Sequence, residues 1–359
     1  MFLLSLGAFS LLAFVQASVA PPPPVAGPPV SEVTPPAKTG DVSTPIDPRE
    51  RMELGRKVNG LRGLDPLPWH VKASYEDFDQ EGKSKDKGTY EEWWVSAKQY
   101  KLVFHSPRLF LEEYGTDHGI FRSGGQDWPT SPAGRVPMSI VQPVPVRTNG
   151  ATTEFRGVER TFGSLKLPCS ALVSRSAKKV NDDATVYCFA ATNGVLLYAN
   201  GMRNAFQTLF QHISTVRNQY VARDVQEFLG GKPWLSIHVD TVESLDPAHP
   251  PDFTVPASAL AVKRRADATS VVQEGALIKS PDLEYPLGAK ALHVEGVVIV
   301  CALVGTDGHV KNAEAFAGPP SLQAAATDDV RKWVYSPFLM DGEPVETEVM
   351  VRVEFRLGG

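Results

Sequence analysis

The chain has 359 residues, a 42% hydrophobic content and a formal net charge of −5 at pH 7. This length and composition are sufficient for two domains, each with its own core. A slightly acidic chain is poorly suited to neutralising phosphates, so nucleic acid is not an expected partner.

Residues 1–20 are almost entirely apolar and end in small residues, without a preceding Lys or Arg. The pattern is typical of a secretory signal, and cleavage after Ala17 is favoured because Pro21 would follow a cut after Ala20. An uncleaved anchor is the alternative, since about 20 apolar residues can span a bilayer. Both interpretations place the rest of the chain outside the cytoplasm.

A Pro-rich segment follows at residues 21–48, and we expect an extended tether there. Asp47 and Pro48 then predict the start of a helix, because Asp caps N-termini well and Pro suits the first turn. Leu54, Val58 and Leu61 give this helix one apolar face.

Short β-like runs separated by turns dominate residues 69–242, and the first two, 71–78 and 89–95, predict a hairpin. A short helix or loop at 129–141 is expected to cover one face. The pattern favours a large antiparallel sheet, open or half-closed. The further predicted runs are 100–105, 109–114, 119–122, 155–167, 186–190, 195–199, 220–228 and 234–242.

Two of the three cysteines, Cys169 and Cys188, flank a predicted hairpin. In an oxidising compartment we expect them to form a disulfide, worth about 3 kcal/mol of stability for a loop of this size. Cys301 lies inside an apolar strand and is expected to be a small buried hydrophobe.

The C-terminal region predicts a small α+β unit. After a charged linker or short helix, its elements are an arm at 271–278, a strand at 294–304, an Asp307-Gly308 turn, a strand at 310–316, a helix at 319–334 and a strand at 345–357. The order after the arm is ββαβ.

The last strand alternates strictly, which places two kinds of side chain on its two faces. The apolar face carries Thr347, Val349, Val351, Val353, Phe355 and Leu357. The charged face carries Glu346, Glu348, Arg352, Glu354 and Arg356. If this strand is an edge, an extended peptide can pair with it. Alternatively, the charges prevent edge pairing.

Leu283-Glu284-Tyr285-Pro286, the Asp307-Gly308 turn, the Pro-initiated helix and the alternating last strand together resemble the C-terminal domain of TonB, which passes inner-membrane energy to outer-membrane receptors. The resemblance implies that a protein partner adds an extended segment to the last strand. The residues it assigns to partner binding are Tyr285, Pro286, Val349, Val351, Arg352, Val353 and Phe355. An alternative for Tyr285 is that it only packs over the sheet.

The N-terminal sheet region, with Tyr90-Glu91-Glu92-Trp93-Trp94, loosely resembles the half-barrel of periplasmic lipoprotein carriers of the LolA/LolB type. That resemblance implies a lipid-sized apolar cavity, lined by Trp93, Trp94, Phe104 and Phe110. The alternative is that these aromatic residues fill the core.

No motif for catalysis, nucleotide binding or metal binding is found, and the eight histidines are scattered. We therefore predict no catalytic, cofactor or metal residue and no enzyme activity. The predicted domains are a signal or anchor (1–20), a Pro-rich linker (21–48), an antiparallel half-barrel-like β domain (49–250), a linker (251–269) and a TonB-like domain (270–359).

Two functions are compatible with this organisation. The first is a periplasmic or cell-envelope protein that binds a protein partner by strand addition and takes part in energy transduction for outer-membrane transport. An inner-membrane motor is a partner only if residues 1–20 remain as an anchor. The second is a carrier of lipid or lipoprotein that uses the N-terminal sheet.

Overall fold

A computed structural model describes residues 46–62, 67–125, 127–129, 132–145, 153–174, 184–201, 205–246, 251–263, 272–273, 275–340 and 342–357. The expected signal or anchor and residues 21–45 of the Pro-rich segment lie outside the described residues. Within the described ranges, no helix has both the length and the apolar character needed to cross a bilayer.

A 13-stranded antiparallel sheet forms the N-terminal part. Its strands are β1 (Trp69–Phe78), β2 (Ser84–Ser96), β3 (Gln99–His105), β4 (Phe110–Thr116), β5 (Gly119–Ser123), β6 (Thr153–Phe162), β7 (Leu165–Ser174), β8 (Thr185–Phe189), β9 (Leu196–Gly201), β10 (Phe206–Val216), β11 (Gln219–Leu229), β12 (Lys232–Ser244) and β13 (Leu260–Val262). Their order is β13-β5-β4-β3-β2-β1-β12-β11-β10-β9-β8-β7-β6, so the two end strands do not close a barrel. We call this the large sheet.

Three parts of the large sheet differ from the expectations. The run at 155–167 is two strands, β6 and β7, because a turn at Gly163, with φ of 58°, reverses the chain. Strand β10 was not predicted. Residues 251–269 were expected to be a linker, with a charged linker or short helix at 257–268, but β13 lies in this segment and pairs with β5 at the edge of the large sheet.

Helices pack against the large sheet. Helix α1 (Pro48–Val58) begins as predicted, and the Asp47 carboxylate accepts a hydrogen bond of 2.8 Å from the Arg49 N–H. Gly55 lets α1 approach Phe189 of β8, since a Cβ atom there would lie 2.3 Å from the ring. The segment expected to cover one face contains a 3₁₀ helix (Pro132–Arg135) and α2 (Val136–Ile140).

The C-terminal part contains short elements around a three-stranded sheet. They are β14 (Val272–Gln273), β15 (Leu277–Lys279), α3 (Leu287–Ala291), β16 (Gly296–Val304), β17 (Val310–Ala317), α4 (Pro320–Val330), β18 (Val334–Tyr335), β19 (Phe338–Met340), β20 (Glu343–Val345) and β21 (Thr347–Phe355). The order β17-β16-β21 defines what we call the small sheet. Two short ladders, β14-β19-β20 and β15-β18, accompany it.

The small sheet is buried on both faces, which explains why its central strand β16 is apolar nearly throughout. On one face, Leu322 of α4 packs with Val298 and Val353. On the other face, Ile299 and Phe316 belong to the same buried cluster as the core of the large sheet. The two sheets therefore share one continuous apolar interior.

The predicted disulfide is present. Cys169 of β7 and Cys188 of β8 are cross-strand partners and are bonded to each other, and both are fully buried. Cys301 of β16 is a buried free thiol, as expected.

Candidate functional site

Strand β21 lies at one edge of the small sheet. Its ladder with β16 runs from Thr347 opposite Val304 to Phe355 opposite Gly296. Among the described residues, no strand pairs along its other flank. An edge strand of this kind presents backbone N–H and C=O groups that a second extended chain can pair with.

The apolar side chains of β21 contribute to the core beneath α4. Val353 and Phe355 are buried, and Val349 and Val351 are half-buried on the same face. A strand added to β21 would therefore meet the backbone of these residues, while their side chains continue to pack against the helix.

Tyr285 and Phe355, both predicted to bind a partner, contact each other. The Tyr285 ring meets the Phe355 ring edge to face, with centroids 5.4 Å apart. The Tyr285 hydroxyl donates a hydrogen bond of 2.7 Å to the Val294 carbonyl. Pro286 precedes α3 as its N-cap residue. Tyr285 thus stabilises the end of β21 through its contact with Phe355.

The exposed part of the charged face of β21 is internally paired. Glu354 lies 3.6 Å from the Arg352 guanidinium and 2.7 Å from that of Arg356. Such exposed pairs contribute little to stability but leave charge beside the free backbone. Both expectations for this face, selecting a partner and preventing unwanted pairing, are compatible with this arrangement.

Glu348 of β21 belongs to a polar cluster that no sequence pattern indicates. The Cys301 thiol donates a hydrogen bond of 2.7 Å to the Glu348 carboxylate. Burial, followed by the Glu348 charge, raises the pKa of this thiol well above its ordinary value. Arg135 also interacts electrostatically with Glu348.

Arg135 connects this cluster to the large sheet. Its Nε donates to Glu227 of β11 at 3.0 Å, and its guanidinium lies 4.5 Å from the Phe206 ring centroid. Burial lowers the pKa of Arg135, but Glu227 and Glu348 outweigh this effect and raise it. Arg135 is therefore a charged group held between carboxylates of both sheets.

The four residues assigned to an apolar cavity do not line one space. Trp94 and Phe104 are buried. Trp93 stacks on His70, with ring centroids 4.7 Å apart, on the opposite face of β2 from Trp94. Phe110 is 49% exposed.

A cavity beside α2, lined by Phe210 and Tyr220 among others, measures ≈ 10 Å³, which is room for about one water molecule. Within the part of the chain that the structure describes, no group of three or more His, Cys, Asp or Glu side chains is placed to hold one metal ion.

Comparison with known families identifies the C-terminal region. Residues 281–357 match the Gram-negative bacterial TonB protein C-terminal family. This match confirms the predicted resemblance, and we call the matched segment the TonB-like domain. It includes α3, the small sheet and α4, and hence the free edge of β21. No curated protein sequence matches the chain significantly.

Solved structures with a partial similarity to the chain include one protein of the LolA superfamily, the second family expected from the sequence. A LolA superfamily protein from Nitrosomonas europaea aligns over 56% of this chain and 95% of its own, with 5% identity and a TM-score of 0.39. A DUF1329 family protein from Desulfovibrio piger aligns over 55% and 93%, with 9% identity and a TM-score of 0.37. The MucA/MucB complex of Pseudomonas aeruginosa aligns over 74% and 81%, with 12% identity and a TM-score of 0.25.

Proposed function

We propose that this chain is a cell-envelope protein whose TonB-like domain binds an extended segment of a partner protein by strand addition to β21. The observation that carries the proposal is the position of β21 at the edge of the small sheet, paired only with β16 among the described residues. The family match supports an interaction with a protein partner.

The backbone of β21 supplies most of the affinity in this proposal, because Val353 and Phe355 are committed to the core. Arg352 is one of the half-exposed side chains on the opposite face, and it adjusts selectivity without being required for the backbone pairing. Tyr285 and Pro286 act indirectly, by fixing the end of β21 through Phe355.

A role in energy transduction requires a mechanical link to the inner membrane, and residues 1–20 would have to provide it. N-terminal sequencing of the protein from the envelope fraction decides this point. An intact Met1 in membranes supports motor coupling. A start at Ser18 or Pro21 leaves a periplasmic recognition protein without that link.

Photo-crosslinking tests strand addition directly. Arg352 is replaced by p-benzoylphenylalanine in the full chain, and cells are irradiated. We expect a covalent adduct with a partner protein, attached through one short segment that mass spectrometry identifies. The same replacement at Phe110, which is exposed on β4 of the large sheet, is the control and yields no such adduct.

Two proline variants of the crosslinking protein determine whether the backbone is the contact. Successive N–H groups of a strand point to opposite flanks. One of the two variants Val349→Pro and Met350→Pro therefore loses an N–H that donates to β16, and the other loses an N–H on the free flank. Val349→Ala and Met350→Ala lose the same packed side chains but keep the N–H groups, so each is the reference for the proline variant at its position. The free-flank variant is the one whose unfolding transition matches that of its Ala reference. Loss of the adduct in that variant supports strand addition, and an undiminished adduct refutes it.

A further inference from the structure

The TonB-like domain is seated on the large sheet through an apolar contact. Phe316 of β17 meets Trp234 of β12 edge to face, with ring centroids 5.2 Å apart. Both residues are buried. Met350 of β21 packs half-buried against the same cluster. Hydrophobic burial of this kind is the main source of stability in a contact between two packed sheets.

Polar contacts surround this apolar centre. The Gln80 side-chain amide donates to the Ala315 carbonyl at 3.2 Å and to the Gln323 side chain at 3.0 Å. Lys311 of β17 donates to Asp127 at 2.5 Å. Lys85 of β2 lies 3.5 Å from Glu314 of β17. Such directional contacts define one orientation of the small sheet on the large sheet.

The third part of the contact lies on β21 itself. Glu348 connects β21 to Cys301 of β16, and its carboxylate interacts with Arg135. Arg135 is held in turn by Glu227 and by the rings of Phe206 and Trp234. The strand with the free edge is thus connected to the large sheet by both Met350 and Glu348.

We propose that the large sheet regulates partner binding at the free edge of β21. Its contact with the TonB-like domain holds β21 in the conformation that accepts a partner strand. This inference rests on the proposed function. A strand that is already ordered loses less conformational entropy when a second chain pairs with it. By linkage, an added strand must strengthen the contact between the two sheets by the same factor.

Truncation of Trp234 tests this coupling, since its ring contacts Phe206 and Phe316 and lies on β12 rather than on the free edge. In the full chain with the crosslinking residue at position 352, we expect Trp234→Ala to lower the adduct yield at least about fivefold. Amide exchange in β21 should become at least about fivefold faster. Unchanged exchange in β6, β7 and β8 verifies that the large sheet remains folded.

Phe162→Ala is the matched control, because Phe162 also makes an edge-to-face pair, with Tyr198 at 4.8 Å, but in a separate cluster of the large sheet. It should leave β21 exchange and adduct yield at their wild-type values. Phe316→Ala repeats the truncation from the other side of the contact and should behave as Trp234→Ala does.

The outcomes separate the two proposals. Wild-type yield and wild-type β21 exchange in both Trp234→Ala and Phe316→Ala overturn the coupling, although strand addition then stands. Absence of an adduct in the crosslinking protein that carries no second substitution refutes strand addition. Faster β21 exchange in both variants would still demonstrate that the large sheet orders this strand.

Discussion

Trp234 of the large sheet and Phe316 of the small sheet lie edge to face, 5.2 Å apart, where the two sheets meet. Trp234 also lies 5.3 Å from Phe206 and 5.6 Å from the Arg135 guanidinium. One aromatic side chain therefore joins the apolar contact between the sheets to the buried charges near Glu348 of β21.

Phe316→Ala should destabilise the protein by about 3–5 kcal/mol, the usual cost of truncating a buried Phe. The effect combines the lost burial with a cavity between the two sheets. Denaturant unfolding of the full chain measures it. Phe110→Ala, at a half-exposed position on β4, should cost much less. Equal costs for the two variants would contradict the buried contact.

Tyr285→Phe should cost little stability, because it removes only the hydrogen bond to the Val294 carbonyl. Tyr285→Ala should cost more, since it also removes the ring that packs on Phe355. Unfolding of both variants gives the difference. If Tyr285→Ala leaves stability unchanged, Tyr285 does not brace β21 and a direct partner contact becomes the better explanation.

Asp77 should make stability depend on pH near neutrality. Burial, followed by the charge of Asp86 directly across the β1–β2 pair, raises its pKa from 3.8 to about 7. Lys85 opposes this shift, and Glu314 from the small sheet adds to it. A carboxyl whose folded pKa is raised contributes stability that is fully present below pH 3.8 and is lost as pH rises through about 7.

We therefore expect Asp77→Asn to flatten the decline in unfolding free energy between about pH 4 and pH 7. Denaturant unfolding at several pH values measures the slope. Asp252→Asn is a suitable control, because hydrogen bonds from Thr254, and not burial, are the main influence on the pKa of that exposed carboxyl, which they lower. A wild-type slope in Asp77→Asn would show that the buried carboxyl is not the titrating group.

Replacing both Cys169 and Cys188 by Ala should destabilise the protein by about 3 kcal/mol, because the crosslink restricts the unfolded chain. The comparison is best made in a Cys301→Ala background, where no third thiol remains. Thermal or denaturant unfolding measures the difference. Equal stability with and without the pair would show that the crosslink contributes nothing to folding.

Much of the fold could be predicted from local patterns. The alternation of β21 and the apolar run of β16 identified both strands, because side-chain direction repeats with period two in a strand and a strand buried on both faces is continuously apolar. Asp47 and Pro48 likewise placed the start of α1. These signals lie within a few residues of each other.

Other features depend on contacts between distant segments. Strand β10 was missed because polar residues such as Gln207 and Thr208 interrupt the alternation of apolar and polar residues that indicates a strand. Both side chains are nevertheless buried, because neighbouring strands cover them. The proximity of Arg135 to Glu348 could not be predicted, because it requires the small sheet to be seated on the large one. By contrast, the period-two rule already separated Trp93 from Trp94 and could have divided the proposed cavity residues.

Amide exchange of β21 in the presence and absence of the crosslinked partner tests strand addition most directly. Strand addition predicts that alternate amides between Thr347 and Phe355, those facing away from β16, become protected in the adduct while β17 is unaffected. Unaltered exchange along the whole of β21 in a verified adduct would show that the partner does not pair with this edge.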